Sequence, residues 1–112
     1  MSHKFFGIAN YQILDNGNKL EGCFTNTECL IKNVYFTIQE VAEKVSKNID
    51  NEIEGKYICR YNEITCDLLI TATNHRNWYK FIWSENDQEI CTGKGLLDVT
   101  NNTIAVSYSG YN

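Results

Sequence analysis

A mainly β protein with one helix is what this sequence predicts: an antiparallel sandwich or partly closed barrel of seven or eight strands, with the single helix packed on it. Three observations carry that expectation. The last third alternates aromatic and β-branched runs with tight polar turns, from Trp78-Tyr79-Lys80-Phe81-Ile82-Trp83 to Thr103-Ile104-Ala105-Val106-Ser107-Tyr108. The turns recur at the spacing of hairpins. Only one stretch carries a helical stripe, and a parallel α/β fold would need several.

Taken in order, Phe5 to Leu14 reads as a first strand, with Phe6, Ile8 and Ile13 apolar and Tyr11 between them. Asp15-Asn16-Gly17-Asn18 is a turn, because Asn-Gly adopts positive φ readily. Lys19 to Thr25 returns as a second strand, and Glu28 to Phe36 continues as a third. Within that third run, Cys29-Leu30-Ile31 and Val34-Tyr35-Phe36 fit strand or irregular structure equally.

The helix is placed from Thr37. Thr37-x-x-Glu40 has the form of a capping box. Ile38, Val41, Ala42, Val45 and Ile49 follow at the spacing of one apolar stripe, set to pack on the sheet. Glu40 with Lys44 and Glu43 with Lys47 would then be i,i+4 ion pairs on the wet face. Strands resume after Asp50-Asn51. Gly55 to Asn62 alternates Tyr57, Cys59 and Tyr61 against Lys56, Ile58 and Arg60, and Cys66 to Thr73 places Leu68, Ile70 and Ala72 on one face. Asn74-His75-Arg76-Asn77 turns into the strands of the last third. The expected core is Ile8, Phe24, Ile38, Val41, Val45, Tyr57, Leu68, Ile70, Phe81, Trp83, Ile104 and Val106.

At 112 residues, with 43% hydrophobic residues, the chain has the size and composition of a single domain spanning 1–112. No apolar run reaches the roughly 20 residues a spanning helix requires. The N-terminal residues lack a secretory h-region, so a cytoplasmic protein is expected. Cys23, Cys29, Cys59, Cys66 and Cys91 form an odd set without metal-knuckle spacing, which favours free thiols over a disulfide framework or a zinc site. Neither a metal nor a cofactor is expected. A net charge of −4 argues against a nucleic-acid partner, and the mixed charges beside the apolar stripe argue against a membrane surface.

Chemistry-bearing motifs are sparse. His75 sits in a polar turn, no nucleophile motif accompanies it, and no enzyme is expected. Gly93-Lys94-Gly95 lies within a strand pattern rather than between a strand and a helix, which suits a bulge or close sheet packing better than a phosphate loop. Asn101-Asn102-Thr103 matches a glycosylation sequon and reads as a turn. Tyr79, Phe81 and Trp83 share one face of their strand, and Trp78 and Ile82 share the other. A strand apolar on both faces needs a second burial, against the helix, a ligand or a partner.

From Gly55 onward the hairpins resemble the small calycin-like barrels, the group of avidins, lipocalins and fatty-acid-binding proteins. The resemblance rests on Gly55-Lys56-Tyr57, Trp78 to Trp83, and Gly93-x-Gly95 leading to Asn102-x-Ile104-Ala105-Val106-Ser107-Tyr108. It implies a binder of a small hydrophobic ligand but transfers no ligand residues; such a binder would have a dry cavity lined by Tyr57, Phe81 or Trp83 and closed at one end by the helix. The overall profile (small, acidic, without catalytic signals) is also similar to the immunity proteins of bacterial toxin systems such as contact-dependent growth inhibition. That similarity implies a non-catalytic inhibitor of a basic partner, foremost a nuclease toxin. Its binding residues would be Glu63, Asp67, Glu85, Asp87 and Glu89, anchored by Trp78 and Tyr79.

Overall fold

The computed structural model describes residues 4–31, 37–47 and 52–111. They form a closed antiparallel barrel of eight strands in sequence order: β1 (Lys4–Leu14), β2 (Lys19–Asn26), β3 (Ile38–Lys44), β4 (Gly55–Tyr61), β5 (Ile64–Ala72), β6 (Trp78–Glu85), β7 (Gln88–Asp98) and β8 (Thr103–Tyr111). Each strand pairs with its sequence neighbours, and β1 pairs with β8 from Lys4↔Tyr111 to Gln12↔Thr103. Closure leaves no edge strand. The architecture is compatible with a calycin-like barrel.

The turns explain the abundance of asparagine. The described non-glycine residues with positive φ are Asp15, Asn16, Asn62, Asn77, Asn86, Asp87 and Asn102, all Asn or Asp. Those two residue types tolerate the left-handed region because the short polar side chain bonds locally. Asn86-Asp87 takes positive φ at both positions of a two-residue hairpin, the twist that matches its flanking strands.

The single long helix does not form. Ile38–Lys44 is strand β3, paired with β2 through Leu20↔Ala42 and with β4 through Ala42↔Cys59. Among the described residues, helix is confined to a five-residue segment, α1 (Thr27–Ile31), and one 3₁₀ turn at Asp15–Gly17. The reason is side-chain direction. Glu40, Ala42 and Lys44 alternate into the barrel and are buried, so a period of two governs the segment. Val45, assigned to the core, is 62% exposed just beyond the strand. The expected ion pairs dissolve accordingly. Glu43 faces Arg60 across the sheet at 3.8 Å, and Lys47 reaches Asp15 at 3.7 Å. Val34-Tyr35-Phe36, Ile49 and Asp50-Asn51 lie outside the described residues.

Most of the expected core is buried: Tyr57, Leu68, Ile70, Phe81, Trp83, Ile104 and Val106, with Phe24 packed against it. Ile38 and Val41 are only half-buried in β3, Val41 on its outer face, and neither packs into the core. Ile8 is the remaining correction. It is 65% exposed, because β1 turns Ala9, Tyr11 and Ile13 inward and leaves the even positions outside.

The two ends of the barrel differ. At the end holding the β1–β2, β5–β6 and β7–β8 turns, the interior is solid. Ile53 plugs it, and the Tyr57 hydroxyl lies 2.6 Å from Ile53 O and 2.7 Å from Gly17 O, sharing its proton between them. Lys44 Nζ donates to Glu52 O and stands 5.5 Å from the centre of the Tyr57 ring. Asn102 ties the β7–β8 turn to β1 through both its side chain and its carbonyl at Ile13. The opposite end holds α1 and the β4–β5 and β6–β7 turns, and there the barrel is hollow.

Candidate ligand cavity

The cavity encloses about 250 Å³ and is built from the ends of strands that point to the open rim. Phe5 begins β1, Phe24 and Asn26 finish β2, Tyr61 finishes β4, and Tyr108 and Tyr111 finish β8. Trp83, Cys66, Ile90 and Cys91 complete the wall from β5, β6 and β7. Tyr11 and Glu40 reach into the cavity from β1 and β3.

Rings make most of that wall. Phe24 meets Tyr61 edge-on with centroids 5.2 Å apart, and Trp83 lies 5.5 Å from both Phe81 and Tyr108. Tyr11 stacks on Phe81, at 6.5 Å, where the hollow half meets the solid core. Gly7 makes room for this arrangement. The Tyr108 ring lies where a Gly7 side chain would be, 2.3 Å from the position of its Cβ. Asn26 holds the rim together. Its amide donates to the Tyr108 hydroxyl at 3.1 Å, while its carbonyl oxygen accepts from Cys29 N, at 3.1 Å, at the start of α1.

Glu40 is the chemical centre of the cavity. Its side chain is buried, and its Oε1 accepts from the Tyr11 hydroxyl at 2.6 Å. The Cys59 thiol and the Trp83 indole N–H stand close enough to favour its ionised form. Burial raises the Glu40 pKa above the ordinary carboxylate value, against the pull of these three donors. The surrounding groups are held neutral. Burial, followed by the nearby Glu40 charge, pushes the Tyr11 phenol far up. Burial likewise raises Tyr61 and Tyr108, and takes the Cys91 thiol up to about 12. The Cys59 thiol is raised by its bond to Cys66, its partner across β4–β5, and then by burial.

Nothing in the sequence reading marked Glu40, Tyr11, Tyr61 or Tyr108 as site residues. The available signal was alternation: Glu40, Ala42 and Lys44 at every second position, opposite the alternating strand at Tyr57, Cys59 and Tyr61. Of the residues expected to line a ligand cavity, Trp83 lines the space. Tyr57 and Phe81 belong to the solid half instead.

The acidic residues singled out in the sequence divide by position. Glu63 in the β4–β5 turn and Glu85, Asp87 and Glu89 around the β6–β7 turn stand exposed on the open rim. Asp67 is exposed on the outside of β5. Trp78 and Tyr79 lie at the other end of β6, on the order of 23 Å away at the usual strand rise. Trp78 faces outward, 42% exposed, and Tyr79 faces inward. The rim acids therefore gather, and the proposed aromatic anchors stand apart from them. His75 is exposed in the β5–β6 turn at the solid end.

Cys23, Cys29, Cys59, Cys66 and Cys91 are free thiols. Among the described residues, no cluster of three or more His, Cys, Asp or Glu side chains forms a metal site, and no helix is long and apolar enough to cross a membrane. No protein-family model, curated protein or solved structure matches the chain.

Proposed function

We propose that this protein binds a small, largely apolar ligand inside its barrel, in the manner of the calycin-like barrels it resembles. The observation that carries the reading is the cavity of about 250 Å³, walled by rings and floored by one buried, hydrogen-bonded carboxyl group. Ligand sites are typically concave and apolar, with a few polar groups that fix orientation. A water's share of liquid volume is ~30 Å³, so the space equals roughly eight waters and suits a molecule with a single ring. Native mass spectrometry of protein purified from cells, paired with Trp83 fluorescence during titration of small aromatic compounds, tests the proposal. A bound mass or a saturable fluorescence change supports it. Protein that is always ligand-free and spectroscopically indifferent to every compound overturns it.

A second reading draws on the gathering of Glu63, Glu85, Asp87 and Glu89 at one rim. Carboxylates on a rigid barrel could pair with the basic groups that a nuclease directs at phosphate, which would make the protein an immunity factor for such a toxin. Co-expression with the toxic domain encoded beside its gene tests this. Survival together with a stable complex supports it, and unchanged killing rejects it.

A further inference from the structure

We propose that the ligand is a small organic cation, an ammonium group carried on an aromatic or aliphatic skeleton, whose charge is received by Glu40 inside a box of aromatic rings. This rests on the cavity-binding reading and specifies its chemistry. Four features of the site converge on it.

The first is the acceptor count at Glu40. A carboxylate offers about four lone-pair sites. The Tyr11 hydroxyl supplies one donor at 2.6 Å, leaving acceptor capacity on a group that lines the cavity. That hydroxyl and the nearby Cys59 and Trp83 groups favour the ionised form, yet none brings a positive charge. An ion at this depth lacks only its counter-ion.

The second feature is the wall. Phe24, Tyr61, Trp83 and Tyr108 present ring faces and edges around one space, and cations bind such ring faces by the quadrupole of the π system. The third is that, among the described residues, no lysine, arginine or histidine lines the cavity. Lys44 is buried at the solid end on Glu52 O, and Lys4 Nζ stands over the Phe6 and Tyr111 rings at the outer rim. The fourth is the approach: Glu63, Glu85, Asp87 and Glu89 around the mouth make a potential that draws cations and repels anions.

The proton balance follows. The titratable groups facing Glu40 are the phenols of Tyr11, Tyr61 and Tyr108 and the thiols of Cys59, Cys66 and Cys91. Below its raised pKa, Glu40 carries a proton in the empty barrel. When an ammonium ion seats against it, that proton leaves to solvent and a carboxylate–ammonium pair remains. Cation binding therefore releases protons, whereas a neutral ligand of the same shape releases none.

Three probes of common shape decide the matter: 2-phenylethylamine, 2-phenylethanol and 3-phenylpropionate. Calorimetry is run at several pH values from about 4 to 8, each in two buffers of different ionisation enthalpy, because release is expected only below the raised pKa of Glu40. The amine is expected to bind at least about tenfold more tightly than the alcohol, as a charge-assisted bond to a buried acceptor implies. It should also release protons, and the carboxylate should not bind. Glu40→Gln should bring the amine to the affinity of the alcohol. Alcohol binding by this variant, at parental strength, reports that the cavity is intact. If Glu40→Gln does not fold, the parent's preference for amine over alcohol and its buffer-dependent heat decide alone. An alcohol that binds as tightly as the amine would overturn the cation inference and leave the cavity reading standing. So would amine binding without proton release at any of these pH values. Failure of all three probes at millimolar concentration would overturn both.

Discussion

Glu40 shows what one buried carboxyl costs and what it makes possible. Its pKa is raised from the ordinary 4.5 by burial, so between that value and the folded-state value the native protein holds a proton that the unfolded chain has released. The contribution to stability is complete below about 4.5 and falls as pH rises through the folded-state pKa. Denaturant unfolding of the parent and of Glu40→Gln, followed from pH 4 to 8, should therefore show the parent losing stability relative to the variant as pH rises. A constant difference over that range would mean that Glu40 is not held protonated. Tyr11→Phe tests the same contact from the other side. Losing a 2.6 Å hydrogen bond to a buried carboxyl should cost about 1.5–3 kcal/mol at a pH where Glu40 is ionised, and less where it is protonated. A cost independent of pH would place the Tyr11 hydroxyl's contribution elsewhere.

At the scale of elements, β3 separates what the sequence made legible from what it hid. The β4 to β8 hairpins were readable because their inward positions, such as Leu68, Ile70, Phe81 and Trp83, are apolar and alternate cleanly. In β3 two of the inward positions are charged, so Glu40 and Lys44 mask the period of two. The remaining apolar residues then mimic a helical stripe. On a helix the two charges would sit ~6 Å apart along the axis, whereas in the strand they lie on the order of 13 Å apart, one in the cavity and one at the plugged end. The residue that hid the strand is the one at the centre of the cavity, because a polar group turned inside breaks the pattern that burial otherwise imposes. A paired substitution distinguishes strand from stripe. Val45→Asp should change stability by no more than about 0.5 kcal/mol, and Ala42→Asp should cost about 4 kcal/mol by burying an unpaired charge in a filled site. Equal costs would reject the strand assignment. Gly22 supplies a further element-level test. A Cβ there would stand 1.9 Å from Asn10 O, a backbone atom that cannot move without opening β1–β2. Gly22→Val should accordingly cost several times more than Thr25→Val on the same strand, measured by urea unfolding; a small, similar cost would mean that the strands can separate there freely.

The whole barrel is packed in one half and hollow in the other, and on the cavity proposal that asymmetry ties stability to binding. The solid half, closed by Ile53, Tyr57 and the Asn102 bonds to Ile13, holds the strands in register. The rings at the rim can then surround a space instead of collapsing on one another. Space kept empty forgoes dispersion contacts that a filled core would make, so the hollow half should be less stable than side-chain packing could make it. Filling part of the cavity ought to exchange one property for the other. Cys91 is well placed for this: it lines the cavity, it does not bond to Glu40, and its partly buried thiol faces rings and apolar neighbours. Cys91→Leu adds apolar volume without adding a polar group. It should raise stability by about 1 kcal/mol, seen as a higher urea midpoint at unchanged slope. The same variant should weaken any ligand bound in the barrel by tenfold or more, on the order of 1.4 kcal/mol of lost affinity. Increased stability with undiminished binding would place the ligand outside the barrel and redirect attention to the acidic rim. Decreased stability would mean that the wall is already packed against Cys91, with no usable space beside it.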